Sequence, residues 1–376
     1  DHGLLSNLVV SFTAVVWDPS RGCYIARTFE RTHPDSAAFL VNLGRALLTE
    51  ITLRVGANQI LRCVSDVSIS AAELFGPEGV YSPRGFASLV HRLGRVEAIW
   101  FPFHERTWVK TWAPARGPSC ARPVSAPYNY PFADNVPEPI SDLVSQIMNG
   151  SPELAPALSA LQHKNVVEGL AATASADLVG PSKNVLLYIR PNTLRYTTNG
   201  YAICTRRADL QCVLHDFAEV YRTLLREYEG RGQFPINGPV EVRASSLDST
   251  AGLRLPGARP PALSPLAPHD QNPDWDVAVW LGVLTLPGTP HAHQFYRELE
   301  GFLFSHYRPP YAMPRVEWSK TWAFGDEGPY ADGDVLTRAL PGSYGDSWGW
   351  ARSTLTSYEP HGVFTNDFLD RLFSSQ

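Results

Sequence analysis

Two short segments far apart in the sequence place charged side chains in strand-like surroundings. They are Gly-Pro-Val-Glu-Val-Arg at 238–243 and Arg-Val-Glu-Trp-Ser-Lys-Thr-Trp at 315–322, which carries Lys320. Glu241 and Arg243 are two residues apart, so in a strand both side chains point to one face. A carboxylate beside a fixed cation can take a proton from an alcohol while negative charge develops nearby. A surface ion pair across a strand is the alternative, and the spacing alone leaves it open.

The length and composition indicate a globular protein of more than one structural unit. With 376 residues, the chain predicts two domains or one domain with a large insertion. The net charge of -5, with Lys and Arg scattered singly, argues against a nucleic-acid-binding surface. The 10 Trp and 32 Pro residues favour extended strands, rigid loops and a large apolar pocket.

Cysteine and histidine spacing predicts no metal site. The five cysteines contain no Cys-x-x-Cys pair, so they are expected to be buried free thiols. His291 and His293 have no neighbouring acidic residue that would complete a ligand set. The longest apolar stretch, 277–284, is far shorter than the roughly 20 residues needed to span a bilayer.

The N-terminal segment predicts a small α/β unit. Residues 8–17 form an apolar strand that turns into a second strand at 23–26. A helix is predicted at 35–48, with Asp35 or Ser36 as its N-cap, and a strand at 50–55.

The rest of the chain predicts a larger sheet covered by helices. Predicted strands lie at 98–103, 108–112, 185–190, 202–205, 240–245, 277–285 and 315–322. Predicted helices lie at 138–149, 152–172, 210–230, 292–306 and 347–358. This irregular order indicates an α+β fold with a mixed, largely antiparallel sheet. The Pro-rich loop at 251–275 is either functional or a rigid surface connection.

Several motifs occur in one order along the chain. They are Glu-Val-Arg at 241–243, Glu-Trp-Ser-Lys at 317–320 and Tyr-Glu-Pro-x-x-Val-Phe-Thr-Asn-x-Phe at 358–368. Together they resemble the vanillyl-alcohol-oxidase family of flavoproteins. Further segments resemble the type II cholesterol oxidases of that family, whose flavin is covalently attached. These segments are 5–9, 42–45, 97–103, 127–132, 237–243 and 273–281.

The resemblance implies a split domain organisation and a bound FAD. Residues 1–60 and 326–376 would form the second part of a VAO/PCMH-type FAD-binding domain, and residues 61–325 the substrate-binding cap. The FAD would be bonded to a histidine on a further N-terminal part of the flavin domain. We expect that part to be a separate fragment or subunit that stays bound to this chain. Related oxidases are commonly exported, so a secreted or periplasmic location is expected.

The same resemblance implies catalytic roles for the charged residues. Glu241 would take the proton of a sterol hydroxyl while the flavin accepts hydride, and dioxygen would then yield hydrogen peroxide. Arg243 would stabilise negative charge on the reduced flavin or on the reacting oxygen, and Lys320 would lie near the flavin pyrimidine. Glu97 would face the arginine and serve in proton transfer or in gating access. After oxidation of a 5-ene sterol, a carboxylate can also move a proton from C4 to C6.

Three further residues bear on the cofactor and the substrate. Asn7 and Asn366, which lie in motif segments, are expected to contact the flavin. Gly282 stands where sterol-oxidising relatives carry an asparagine, so a hydrogen bond near the flavin is lost and space is opened. Two other functions therefore stay open. One is an oxidase of another apolar alcohol or of a polyol, and the other is a flavin-free binding protein.

Overall fold

The computed structural model describes residues 4–117, 120–134, 136–186, 194–249, 253, 255–320, 322 and 332–373. Its strands form two sheets, one of three strands and one of nine. Among the described residues, no helix combines the length and apolar character that crossing a membrane requires.

The small sheet is built from the N-terminal hairpin. Its strands are β1 (Val9–Asp18), β2 (Cys23–Glu30) and β3 (Leu47–Leu53), in the order β2-β1-β3 and antiparallel throughout. Asp18 closes the hairpin turn, because its carboxylate accepts a hydrogen bond of 2.9 Å from the Ser20 amide. Phe12 packs against Phe29, with ring centroids 5.4 Å apart, and this pair forms the core of the small unit.

The predicted helix at 35–48 is wrong over most of its length. Only α1 (Ser36–Phe39) is helical, and the chain then turns into β3. Leu43 and Gly44 have φ angles of 56° and 100°, which a right-handed helix cannot contain. The Asn42 side chain stabilises this turn, since its Nδ2 donates to the Phe39 carbonyl at 2.8 Å and its Oδ1 accepts from the Gly44 amide at 2.8 Å.

The large sheet contains nine strands in the order β12-β9-β11-β10-β5-β6-β4-β8-β7. Within the described ranges, β7–β8 is the one parallel pair of this sheet, which confirms the prediction of a mixed, largely antiparallel sheet. The strands are β4 (Ile60–Asp66), β5 (Arg95–Trp100), β6 (Thr107–Pro114), β7 (Arg122–Pro123), β8 (Asp177–Pro181), β9 (Thr197–Thr205), β10 (Val240–Ser246), β11 (Val277–Thr285) and β12 (Ala312–Val316).

Helices cover both sheets. After α1 they are α2 (Ala71–Phe75), α3 (Phe86–Leu93), α4 (Pro131–Asp134), α5 (Glu138–Met148), α6 (Ala155–Ala172), α7 (Ser182–Val185), α8 (Leu210–Gly230), α9 (Ala292–His306), α10 (Leu340–Tyr344), α11 (Asp346–Tyr358) and α12 (Asp367–Leu372). A π-helical turn at Val335–Ala339 precedes α10.

One face of the large sheet packs into the main hydrophobic core. Alternate residues of β10, such as Val240 and Val242, point to this core together with apolar residues of α8 and α9. Glu241 and Arg243 therefore point to the opposite face. Every residue of β11 is buried, as expected for a central strand covered on both sides.

Three other sequence predictions need correction. The strand predicted at 315–322 ends at Val316, and residues 317–320 form a turn instead. The strand predicted at 185–190 begins in α7, and most of it lies outside the described residues. Cys63 and Cys204 are buried free thiols, but Cys23, Cys120 and Cys212 are exposed. The proposed domain division, at about residues 60 and 326, stays a prediction.

Candidate active site

Cross-strand pairing brings the charged residues of the sequence motifs together. Arg243 of β10 lies opposite Glu97 of β5, and Glu97 lies opposite Lys110 of β6. Residues directly opposite each other in antiparallel strands share one face of the sheet. The sheet therefore places a row of alternating charges on the face that points away from the main core.

Glu241 lies between two cations. Its Oε2 atom is 3.2 Å from Arg243 Nη2 and 3.5 Å from Lys320 Nζ. The sheet supplies Glu241 and Arg243, whereas Lys320 comes from the turn after β12. Glu241 and Arg243 thus lie on the same face of the sheet, as expected from the sequence. Both side chains are half-buried.

Glu97 is buried and meets two cations of its own. Arg243 Nε donates to Glu97 Oε1 at 2.6 Å, and the Lys110 ammonium pairs with Glu97 Oε2. Burial alone would raise the pKa of Glu97, but Lys110 and Arg243 together lower it to about 2. A carboxylate held ionised in this way is better suited to fixing Arg243 than to transferring a proton. Burial alone would lower the pKa of Arg243. The neighbouring carboxylates Glu97 and Glu241 raise it by more, so the net change is upward.

Lys110 is a further charged residue of the site that the sequence did not predict. Its side chain is buried, and its Nζ atom lies 4.4 Å from the ring centroid of Trp108. A signal for it was present, because Lys110 is the single charged residue in the strand segment Trp-Val-Lys-Thr-Trp at 108–112. Its partner Glu97 is not apparent from that segment, since it comes from another strand.

Glu317 was also given no role from the sequence. Burial raises the pKa of Glu317, against the opposing effect of Lys320 and Arg243. Its amide donates to the Gly200 carbonyl at 2.8 Å, and a Cβ atom added at Gly200 would collide with the Glu317 carboxylate. Glycine at position 200 therefore makes room for Glu317.

These six groups form what we call the ionic cluster. Its members are Lys110, Arg243, Lys320, Glu97, Glu241 and Glu317. With all six ionised the charges cancel.

An apolar pocket of about 500 Å³ opens above the ionic cluster. This volume falls within the range of roughly 300–1,000 Å³ that small-molecule sites occupy. Glu97, Lys110, Glu241 and Arg243 form its polar end. The remaining wall is mostly aromatic and aliphatic, and includes Ile99, Phe101, Trp108, Tyr130, Phe132, Val136, Ile140, Val166, Leu194 and Leu284.

Gly282 lies opposite Glu241 in the sheet and faces the same side. A Cβ atom added there would lie 3.7 Å from Thr198 Cγ2 and 3.8 Å from Glu241 Cβ, which are ordinary contact distances. Position 282 thus accommodates a Cβ atom without a collision. The open space expected from the sequence stays a prediction.

The two asparagines expected at the cofactor have partners within the chain. Asn7 Nδ2 donates to Asp248 Oδ1 at 2.6 Å, and Asn366 Oδ1 accepts from the Leu369 amide at 3.0 Å and so caps α12. A cofactor contact for either residue stays a prediction. No group of three or more potential metal ligands occurs within the part of the chain that the structure describes.

Comparison with known proteins identifies the family of this chain. A family described as "Cholesterol oxidase, substrate-binding" matches residues 60–374. A solved structure titled "Solvent-stable cholesterol oxidase" is 43% identical, with a TM-score of 0.95, and the match covers 99% of this chain and 70% of that one. The crystal structure of cholesterol oxidase from Brevibacterium sterolicum gives a TM-score of 0.94 at 43% identity, with the same coverage of 99% and 70%. The comparison with curated proteins found no match.

Proposed function

Because this chain belongs to the cholesterol oxidase family, we propose that it is an FAD-dependent alcohol oxidase that converts the 3β-hydroxyl group of a sterol to a ketone. In the proposed reaction, sterol and dioxygen give ketone and hydrogen peroxide in equal amounts, so atoms and electrons balance. The observation that carries the proposal is the Glu241 carboxylate, which lies between two cations at the polar end of an apolar pocket.

Glu241 is the proposed general base. It is half-buried and lines the pocket, so a substrate hydroxyl can approach its carboxylate. Glu97 also lines the pocket, but it is buried and is held ionised by Lys110 and Arg243. The proposed division of labour is that Glu241 receives the hydroxyl proton while Glu97 fixes the guanidinium of Arg243. After oxidation of a 5-ene sterol, Glu241 can also carry the proton from C4 to C6.

The ionic cluster fits a flavin because it can stabilise added negative charge. The bound flavin would accept hydride from the carbinol carbon. Arg243 and Lys320 are half-buried, and both lie beside Glu241. Their fixed charges would favour the negative charge that appears in the site as the alcohol is oxidised.

The lining of the pocket favours a sterol over a polyol. Away from the ionic cluster, aromatic and aliphatic side chains make up most of the wall. A polyol would need a hydrogen-bond partner for each hydroxyl group, and most of this wall offers none. Burial of a rigid apolar ring system, at about 25 cal/mol per Å² of apolar surface, would instead favour binding.

We further propose that another part of the flavin domain packs on the three-stranded sheet. The edge strand β3 exposes Leu47 and Ile51 by 48% and 51%, respectively. Apolar side chains exposed on an edge strand favour contact with further polypeptide. The solved relatives are longer than the matched region, since this chain covers 70% of each. Covalent attachment of FAD through a histidine of that further part completes the proposal.

The test measures the rate at which cholesterol reduces the flavin of the purified holoenzyme in the absence of oxygen. The decrease in flavin absorbance reports this rate. We expect Glu241→Gln to keep the flavin bound and to slow reduction at least about tenfold, as the loss of a general base predicts. Glu168→Gln is the matched control, because Glu168 is an exposed carboxylate on α6 that pairs only with Lys164 among the contacts the structure describes. A rate that is the same in Glu241→Gln and in the unmodified enzyme would exclude Glu241 as the base.

A further inference from the structure

A pair of polar side chains lies in the pocket wall outside the ionic cluster. Tyr196, just before β9, and Gln162 of α6 both line the pocket, and Gln162 Nε2 donates to the Tyr196 hydroxyl at 3.0 Å. Asn165, Arg195 and Thr198 also line the pocket. The ring of Tyr196 packs against the apolar cluster of α5 and α6 that includes Ile140 and Leu158, so the pair borders apolar side chains.

This pair lies far from the ionic cluster along the sheet. Gly200 of β9 and Glu241 of β10 are both in register with Gly282 of β11. Tyr196 is four residues before Gly200. Because side chains of an extended chain alternate between the two faces of the sheet, both residues face the same side. At about 3.3 Å per residue, its backbone lies about 13 Å from the row that contains Glu241. The pocket thus has two polar ends, separated by a distance comparable to the length of an elongated ligand.

The hydrogen-bonding capacity of the pair is only partly used. The Tyr196 hydroxyl accepts from Gln162, and no described residue accepts its proton. Gln162 Oε1 is buried and also has no partner among the described residues. Whichever amide atom faces the phenol, the other atom has no partner among the described residues, and a buried polar group without a partner costs about 1–3 kcal/mol. Burial raises the pKa of Tyr196 to about 12, so the phenol keeps its proton at neutral pH.

We propose that Tyr196 and Gln162 bind a second hydroxyl group of the substrate. This inference rests on the proposed function and narrows its substrate class to a sterol that carries a hydroxyl group in its side chain. A hydroxyl group both accepts and donates a hydrogen bond, so it can take the proton of Tyr196 and satisfy the Gln162 amide. A site with buried polar groups disfavours an analogue that leaves them unpaired. We expect kcat/KM to be at least about tenfold higher for the hydroxylated sterol than for cholesterol.

The experiment compares cholesterol with a side-chain-hydroxylated cholesterol in the holoenzyme. Peroxide release gives kcat/KM, and quenching of tryptophan fluorescence gives Kd, since Trp108 lies in the pocket wall. We expect Tyr196→Phe and Gln162→Leu each to abolish the preference in both measurements. Phe101→Leu is the matched control, because it changes an apolar wall residue outside the cluster that packs against Tyr196 and is expected to affect both sterols alike.

The outcomes separate this inference from the proposed function. Equal kcat/KM and equal Kd for the two sterols would overturn the inference and leave the oxidase proposal standing. A preference that persists in both variants would overturn it as well. If neither sterol is oxidised, the oxidase proposal fails, and the ratio of the two Kd values still decides whether the pair recognises a hydroxyl group.

Discussion

Two buried carboxylates, Glu97 and Glu300, lie on opposite faces of the same large sheet and differ in the charge of their partners. Glu97 meets the cations Lys110 and Arg243, and its pKa is lowered to about 2. Glu300 of α9 accepts hydrogen bonds of 2.8 Å from the neutral donors Tyr201 and Trp322. Burial raises the pKa of Glu300 to about 7, despite these two bonds. Full charges on the partners therefore decide whether a buried carboxylate stays ionised.

The largest expected effect comes from removal of a cation beside Glu97. We expect Lys110→Met to lower the free energy of unfolding by at least about 3 kcal/mol, since a buried carboxylate loses one of its two cations. Lys164→Met is the control, because Lys164 forms an exposed pair with Glu168 and such pairs contribute at most about 1 kcal/mol. Denaturant unfolding measures both. If the free energy of unfolding falls by a similar small amount in both variants, burial does not strengthen the ion pair between Lys110 and Glu97.

The next effect is a pH dependence of stability caused by Glu300. Its pKa rises from 4.5 to about 7 on folding, so the folded state binds the proton more tightly than the unfolded state. The resulting stability is fully present below pH 4.5 and is lost as the pH rises to about 7, by roughly 3 kcal/mol. The negative charge of Asp332 raises the pKa of Glu300 further. The positive charge of Arg297 lowers it.

We expect Glu300→Gln to remove this loss of stability between pH 4.5 and 7. Glu298→Gln is the matched control, since Glu298 is an exposed residue of the same helix and also accepts a hydrogen bond from a tyrosine, Tyr228. Thermal unfolding across this pH range measures the slope. An unchanged slope in Glu300→Gln would show that Glu300 is already ionised at acidic pH, and the contrast with Glu97 would fail.

The smallest effect distinguishes two glycines that lie beside each other in the sheet. Gly200 of β9 faces the ionic cluster. The next residue, Tyr201, points to the other face of the sheet and contacts Glu300. We expect Gly200→Ala to destabilise the protein by about 1–3 kcal/mol, because the new methyl group collides with Glu317. Gly282→Ala has ordinary contact distances, and we expect a change below about 1 kcal/mol. Equal melting temperatures of the two variants would contradict this difference.

Local sequence signals predicted some elements well and failed at others. The helix at 210–230 and the strand at 277–285 agree with α8 and β11, because a long amphipathic pattern and a continuous apolar run each allow one structure. The helix at 35–48 failed because a turn stabilised by Asn42 interrupts an otherwise helical pattern. Short strands such as β7 and β8 were missed, since their two to five residues carry little pattern.

The candidate site was predictable only where motifs carried it. Glu241, Arg243, Glu97 and Lys320 were predicted from the sequence, and the structure places them in one cluster. Lys110 was missed because its partner Glu97 lies on another strand, and Glu317 was missed because its contact with Gly200 and its position beside Arg243 arise only in the fold. Tyr196 and Gln162 were missed because only the folded chain brings a helix residue against a strand end.

The row of charges that crosses β6, β5 and β10 also constrains how the sheet assembles. Glu97 and Arg243 are flanked by apolar residues that point to the opposite face, and Lys110 is flanked there by Val109 and Thr111. A slip of any one strand by a single position would turn its ion into the hydrophobic interior, at a cost of several kcal/mol. The charged side chains that are proposed to serve the reaction therefore also favour the correct alignment of the strands during folding. A misaligned sheet would bury an unpaired charge and would be unstable.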